Sequence, residues 1–206
     1  RAAPATNGFL SAIPQELLAT EGPQAPGPMA RGPRLVFFNG RFIKSLSSQE
    51  GLPAGVLLGN LAEFLQTHPA LIEPLLNRMN EVKDHSFVHL NTAFLSDGAF
   101  VYIPRGTVLS APVQLLFVSG NGGGATVAHP RNLIIAEAGS QVKVVEGYVG
   151  TEGERTLTNS LTQILIGADA LVEHDRWQNE GQQSFHVGIT HVWEGRQSRY
   201  LSNAVN

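Results

Sequence analysis

The chain has 206 residues, 42% of them hydrophobic and 15% charged, with 14 Lys and Arg against 17 Asp and Glu for a net charge of -3. A chain of this size and apolar content can bury a core without staples, which excludes disorder throughout, and no window gathers the basic run that would make nucleic acid a partner. Cysteine is absent, so disulfides, zinc fingers, thiolate nucleophiles and all-cysteine metal clusters within the chain are excluded, and any metal rests on His, Asp or Glu.

No stretch approaches the ~18 to 20 apolar residues of a membrane span, and no basic, apolar and small-residue leader opens the chain. No membrane partner is expected, and the expected address is cytoplasmic. The first residue is Arg1 rather than Met, which leaves an organellar address open.

Residues 1–34 hold 6 of the 12 prolines, which fix φ and remove backbone donors, so this segment reads as an extended tether with at most a helical turn at 14–19. Residues 34–46 place Asn39-Gly40 between the β-prone runs Leu35-Val36-Phe37-Phe38 and Arg41-Phe42-Ile43, a hairpin signal. Helical spacing of Leu57, Leu58, Leu61, Phe64 and Leu65 predicts a helix over 56–67, and Leu71, Ile72, Leu75, Leu76 and Met79 predict a second after Pro69. Phe87, Leu90 and Phe94 predict one face of a further helix over 84–94. Residues 35–97 thus read as a hairpin plus short helices.

From residue 98 onward β-branched runs alternate with Gly, Asn and Ser, and no amphipathic helix of usual length can be drawn. Gly106, Gly139, Gly167 and Gly195 are spaced by 33, 28 and 28 residues. The segment 134–146 lies best over 162–174 when Gly139 is matched to Gly167. A repeat of strand, glycine corner and strand suggests a solenoid whose units bury their apolar face by stacking. A parallel β-helix fits that description, and an ordinary sandwich with hairpins every 8 to 12 residues is the alternative. Gly106, Gly139 and Gly167 are expected at equivalent corners, where only Gly tolerates positive φ without strain.

Candidates for chemistry are sparse. His85 and His89, four apart on a predicted helix, could offer two imidazoles to a metal, but Glu81 and Asp84 complete no ligand motif and a solvated helix start is the plainer reading. Glu173 and Asp175 share a strand face, as a carboxylate pair for glycoside cleavage would; a row of solvated charges beside Arg176 is the plainer reading. His174 points to the opposite face. His186 and His191 are five apart and fall on opposite faces of a strand. Gly122-Gly123-Gly124 lacks the Lys-Ser/Thr and the helix start of a phosphate loop and reads as a corner. No Gly-x-Ser-x-Gly elbow occurs. Trp177, Trp193 and Phe185 are either stacking surfaces or edge packing. No catalytic, cofactor-binding or metal residue is assigned.

Two segments carry a resemblance. Arg34-Leu35-Val36-Phe37-Phe38-Asn39-Gly40-Arg41-Phe42 resembles the Arg-Leu-Val-Phe-x-Asp/Asn-Gly-x-Phe/Tyr segment on the SufD side of the SufB/SufD family, scaffolds of the SUF iron–sulfur cluster assembly system. Leu90 through Gly106, reading LNTAFLSDGAFVYIPRG, is similar to the family's lead into its β-helix, and 134–148 is similar to one of its coils. The resemblance covers residues 34–206. It implies a right-handed parallel β-helix over 98–206, preceded by a small mixed α/β region. It further implies a scaffold without enzymatic activity, working with SufB and the ATPase SufC, with an iron–sulfur cluster at the SufB–SufD interface and none in this chain. The SufB paralogue bears the cysteines, so a cysteine-free chain falls on the SufD side.

Family members are about twice as long, and the family's SufC-docking helices and late interface histidine have no matching positions here. The chain therefore reads as a fragment lacking both ends, and self-association through residues 197–205, with Tyr200, Leu201 and Val205 in contact, is expected. Plastid stroma is the alternative address. The rival function is a carbohydrate-active β-helix enzyme using Asp169, Glu173 and Asp175.

Overall fold

The computed structural model describes residues 32–79, 85–120, 124–150 and 153–205. The expected helical turn at 14–19, most of the expected tether, Glu81, Asp84, Gly122 and Gly123 lie outside the described residues. Strands β1 (Arg34–Phe38) and β2 (Arg41–Phe42) form the expected hairpin, with Phe37 opposite Phe42. Asn39 at φ 47° and Gly40 at φ 74° supply the two left-handed residues of its turn.

The expected helix over 56–67 is corrected. Strand β3 (Leu57–Asn60) precedes helix α1 (Leu61–Thr67), because Leu57 and Leu58 pair antiparallel with Tyr102 and Val101 and so alternate between faces. Gly59 lies under the Phe64 ring, where a Cβ would come within 2.6 Å of Cε2. Asp97 reaches back to cap α1: its Oδ1 accepts the Ala62 N–H at 3.1 Å, and the Asn60 amide donates to both carboxylate oxygens. Helix α2 (Pro69–Arg78) begins on a proline at its first turn. Helix α3 (Ser86–Ala93) buries Val88 and Asn91 rather than the expected face, with Phe87 and Phe94 exposed.

The remainder is a β-helix. Strands β4 (Ala99–Ile103), β7 (Arg131–Ala136), β9 (Thr156–Ile166) and β11 (Ser184–Glu194) stack in parallel in one sheet, with β3 on its edge and β6 (Thr126–Ala128) beside β9. Strands β5 (Val113–Ser119), β8 (Gln141–Gly150), β10 (Leu171–Asn179) and β12 (Arg199–Val205) stack in parallel in the other, and β1 adds a rung to it beside β5. The rung formed by β1 ties the hairpin into the solenoid wall, ahead of the boundary read at residue 98.

Both faces of the older rungs are covered, so β5 and β7 are buried at every position. The inward face forms one core from Leu35, Phe37, Val101, Leu115, Ile134, Val144, Ile164 and Val172 among others. Outward, α1 and α2 cover Phe100, Leu133 and Ile135, while Ile43, Leu46 and Trp177 cover Val36, Leu116 and Val149. An inward aromatic ladder runs up one wall: Phe37 stacks on Phe117 and Phe117 on Tyr148, each at 4.9 Å and 14°.

The corner register also differs from the expected one. Gln141 pairs with Leu171 and Leu171 with Arg199, so the left-handed corner positions are Gly106, Gly139, Asp169 and Gln197, at φ 68°, 70°, 59° and 58°. Gly167 and Gly195 lie two residues earlier, and their φ is not positive. They are glycines because successive coils touch there: a Cβ at Gly167 would stand 2.5 Å from Ala138 N, and one at Gly195 2.7 Å from Ala168 N. The first two glycines of the repeat relieve backbone strain and the last two relieve crowding, which is why matching them in sequence shifts the alignment by two.

Two glycine substitutions separate these roles. Gly106→Ala, with open space around it, is expected to lose about 1 kcal/mol from left-handed strain alone. Gly167→Ala must push adjacent backbones apart and is expected to lose about 2 to 3 kcal/mol. Urea unfolding of both variants measures the order, and equal losses would contradict the assigned register.

Candidate functional site

The structure separates most of the sequence candidates. Glu173 and Asp175 do share the outer face of β10, but Lys143 of the neighbouring coil braces both, at 3.6 Å and 2.7 Å. Arg176 is not their partner; it faces inward, as the alternation of β10 requires. Asp175 is pulled up by partial burial, and the stronger pull of Lys143 and Asn203 leaves it below its ordinary range. Asp169 stands apart at an exposed corner, so these three carboxylates form no acid and nucleophile pair. His85 and His89 are both exposed, and among the described residues no group of three His, Asp or Glu side chains could hold a metal ion.

His191 lies outside, stacked on Trp193, which also carries Arg78 over its ring at 5.4 Å. Trp177 packs on the other sheet's outer face and Phe185 is 72% exposed, so the three aromatics form no common platform. Of the residues expected in self-contact, Leu201 and Val205 are exposed, while Tyr200 turns inward to His174.

The polar chemistry of the molecule is inside the solenoid. Along β8 the inward positions run Val142, Val144, Glu146, Tyr148, so an apolar wall turns polar within two residues. Glu146 is 1% exposed. Its Oε1 accepts from Thr162 Oγ1 at 2.7 Å and Asn132 Nδ2 at 3.3 Å, and its Oε2 accepts from the Tyr148 hydroxyl at 3.0 Å. His174 Nε2 approaches the same Oε1 at 3.2 Å, an ion-pair contact out of line for a hydrogen bond. Four strands thus converge on one carboxylate.

The network continues in both directions. His174 Nδ1 meets the Tyr200 hydroxyl at 2.9 Å. Tyr148 also hydrogen-bonds Ser160, Ser160 Oγ lies 3.2 Å from His186 Nε2, and His186 Nδ1 pairs with Glu180 Oε2 at 2.8 Å. Thr158 and Gln178 donate to Glu180 as well. The edge of the Tyr148 and His186 ring pair, at 4.5 Å and 80°, closes the aromatic ladder onto this string.

Burial works to push the Glu146 carboxyl up, but the electrostatic pull of His174 and hydrogen bonds from Thr162 and Tyr148 outweigh it and hold it below the ordinary range. Glu180 behaves alike: burial raises it, and His186, Gln178 and Thr158 bring it lower. Burial, then the nearby Glu146 charge, push the Tyr148 phenol well up. A phenol that keeps its proton, Tyr148, thus sits against a carboxylate that gives one up, Glu146.

A second polar cluster anchors the helices outside. Arg131 is 1% exposed and donates through Nε to Asn91 at 2.7 Å, Nη1 to Gln163 at 3.0 Å and Nη2 to Thr92 at 2.7 Å. Gln163 in turn donates to Leu75 O at 2.7 Å. These bonds, all to neutral acceptors, dock α2 and α3 on the sheet, and burial lowers the guanidinium to about 10.

Sequence reasoning missed Glu146, Tyr148, Ser160, Thr162 and Glu180. The available signal was the inward period of β9, where Thr156, Thr158, Ser160 and Thr162 follow one another in a strand whose remaining inward residues are Ile164 and Ile166.

Comparison with known proteins matches residues 31–115 to the SufBD protein N-terminal region and residues 117–206 to the SufBD core domain of SUF system FeS cluster assembly. An iron–sulfur cluster assembly SufBD family protein of Synechocystis sp. is 33% identical over 189 residues, 87% of this chain and 41% of that protein. A chloroplastic protein of Arabidopsis thaliana is 26% identical over 171 residues, 77% of this chain and 34% of its own. The iron–sulfur cluster assembly protein SufD of Bacillus subtilis is 28% identical over 134 residues, 64% of this chain and 30% of its own. The chain therefore spans less than half the length of these relatives.

His174→Phe removes the imidazole that stands against the buried Glu146 carboxylate and is expected to lose about 3 to 5 kcal/mol in urea unfolding. Lys143→Ala, on the solvated outer face, is expected to lose less than about 1 kcal/mol. Similar losses for both would contradict the placement of His174 in the lumen.

Proposed function

Because the chain belongs to the SufBD family of SUF-system iron–sulfur cluster assembly proteins, we propose that it is the β-helical body of a SufD-type scaffold that binds SufB and SufC. It carries out no reaction of its own. The observation that carries this reading is that strands from both matched regions, β1 and β4 from the first and β7 through β12 from the second, stack in the same two sheets. The absence of cysteine supports the SufD side of the family, since thiolates are the usual cluster ligands. The cluster is then cargo of the assembled complex, formed where this scaffold meets SufB.

The same reading accounts for the outer surface. A scaffold needs a stiff body, and parallel rungs stacked over hydrogen-bonded corners give one. The cytoplasm is the compartment proposed for it. The relative described as chloroplastic supports plastid stroma as the alternative. No helix among the described residues is long and apolar enough to cross a membrane.

Affinity purification of the full-length parent, co-expressed with SufB and SufC, is expected to retain both partners in fixed ratio. Retention of neither contradicts the reading. Anaerobic reconstitution of the chain alone, followed by desalting, is expected to leave no stoichiometric iron and sulfide, and their retention would contradict the assignment of the cluster to the complex.

A further inference from the structure

We propose that Asn39 is a conditional modification site: its carboxamide deamidates through the Gly40 nitrogen once the hairpin turn lifts from Gly120, and the product cannot close that contact again. The sequence holds three Asn-Gly pairs, at 7–8, 39–40 and 121–122, and 39–40 is the one that lies among the described residues. Such a pair is labile because glycine brings no Cβ to shield its amide nitrogen from the preceding carboxamide. The step is spontaneous. The Gly40 amide loses its proton to hydroxide and attacks Asn39 Cγ, closing a five-membered imide. The expelled Nδ2 group takes a proton from water and leaves as ammonia, returning hydroxide, and a further water opens either imide carbonyl to give aspartate or isoaspartate.

The fold holds this chemistry off. Asn39 Nδ2 donates to Gly120 O at 3.1 Å, and Asn39 Oδ1 accepts the Gly120 N–H at 2.9 Å. The Asn39 backbone N–H donates to Val118 O at 2.8 Å. The carboxamide thus extends the parallel ladder of β1 and β5 by one rung past its last backbone pair, Phe38 with Val118. Turning Cγ toward the Gly40 nitrogen breaks both bonds to Gly120. On the other side, Asn39 and Gly40 border a cavity of about 680 Å³ shared with Arg41, Lys44 and Asp97, so water reaches the turn.

Closed and open turns therefore differ in rate, and the product differs from the parent in what it can rebind. Two hydrogen bonds of ordinary net strength favour the closed turn by about thirtyfold. Aspartate at position 39 has no donor for Gly120 O and sets a charged oxygen against it. Isoaspartate also adds a main-chain atom to a two-residue turn whose left-handed geometry, φ 47° and 74°, matches the twist of its strands. Conversion is one-way, and it leaves the turn detached from the end of β5. The site does not rest on the family reading, and its failure would leave that reading untouched.

Trypsin releases residues 35–41, which carry Asn39 as their only asparagine. Mass spectrometry of that peptide follows conversion in the folded chain and in the same chain held in urea, at one pH and temperature. Conversion to aspartate and isoaspartate is expected in urea, and at least about tenfold more slowly in the folded chain. Equal rates overturn the gating by Gly120, and no conversion in urea overturns the site. For the product, hydrogen exchange of the backbone amides at 39 and 120 is compared between the parent and Asn39→Asp, with at least about tenfold faster exchange expected in the variant. Unchanged exchange overturns the claim that the contact cannot close again. If Asn39→Asp does not fold, Asn39→Gly, which keeps the left-handed turn and removes both bonds, takes its place under the same two outcomes.

Discussion

One buried carboxylate sets the terms for the rest of the molecule. An ionised glutamate inside an apolar solenoid is tolerable only if its lone pairs are filled and a countercharge stands beside it. Glu146 has its oxygens filled from β7, β9 and its own strand, through Asn132, Thr162 and Tyr148, with the His174 imidazole of β10 set against it. Only one stacking register places all four. Coil packing and the polar network are therefore one constraint expressed twice, once in the backbone contact at Gly167 and Gly195 and once in the lumen.

That constraint divides the interior lengthwise. Near the corners, Val142, Ile134, Ile164 and Val172 make a dry core. Toward the far end of the strands, Glu146, Ser160, His174 and His186 replace them, and the aromatic ladder of Phe37, Phe117 and Tyr148 marks the transition. Outside, the buried Arg131 clamp and the Asp97 cap hold the helices to the sheet without drawing on the inner network. Rigidity of the wall and chemistry of the lumen thus come from separate sets of residues.

Much of this was legible in the sequence, and the rest was hidden for physical reasons. Asn39-Gly40 announced its turn because few residues accept two left-handed positions in a row. The repeat announced a solenoid, but its glycines served two purposes: strain relief at Gly106 and Gly139, and close approach at Gly167 and Gly195. A spacing rule cannot distinguish them. Leu57 and Leu58 fit a helix or a strand equally well until Tyr102 and Val101 are found beside them. Phe87 and Phe94 look like core, and they are displaced because Asn91 must face Arg131. Apart from the Thr and Ser period of β9, the inward polar residues left little trace because, in strands buried on both faces, alternation no longer separates core from solvent.

The polar lumen depends on the state of Glu146. Carbon-13 NMR of its side-chain carboxyl, followed as pH is lowered, reads that state directly. With a folded pKa below the ordinary glutamate value of about 4.3, the folded state binds fewer protons than the unfolded chain. The stability this group supplies is then present above that pH and is lost as pH falls through the folded value. The expected result is a carboxyl resonance that remains in its ionised position at the ordinary glutamate midpoint and moves only at lower pH. A midpoint at or above that of a free glutamate would contradict it.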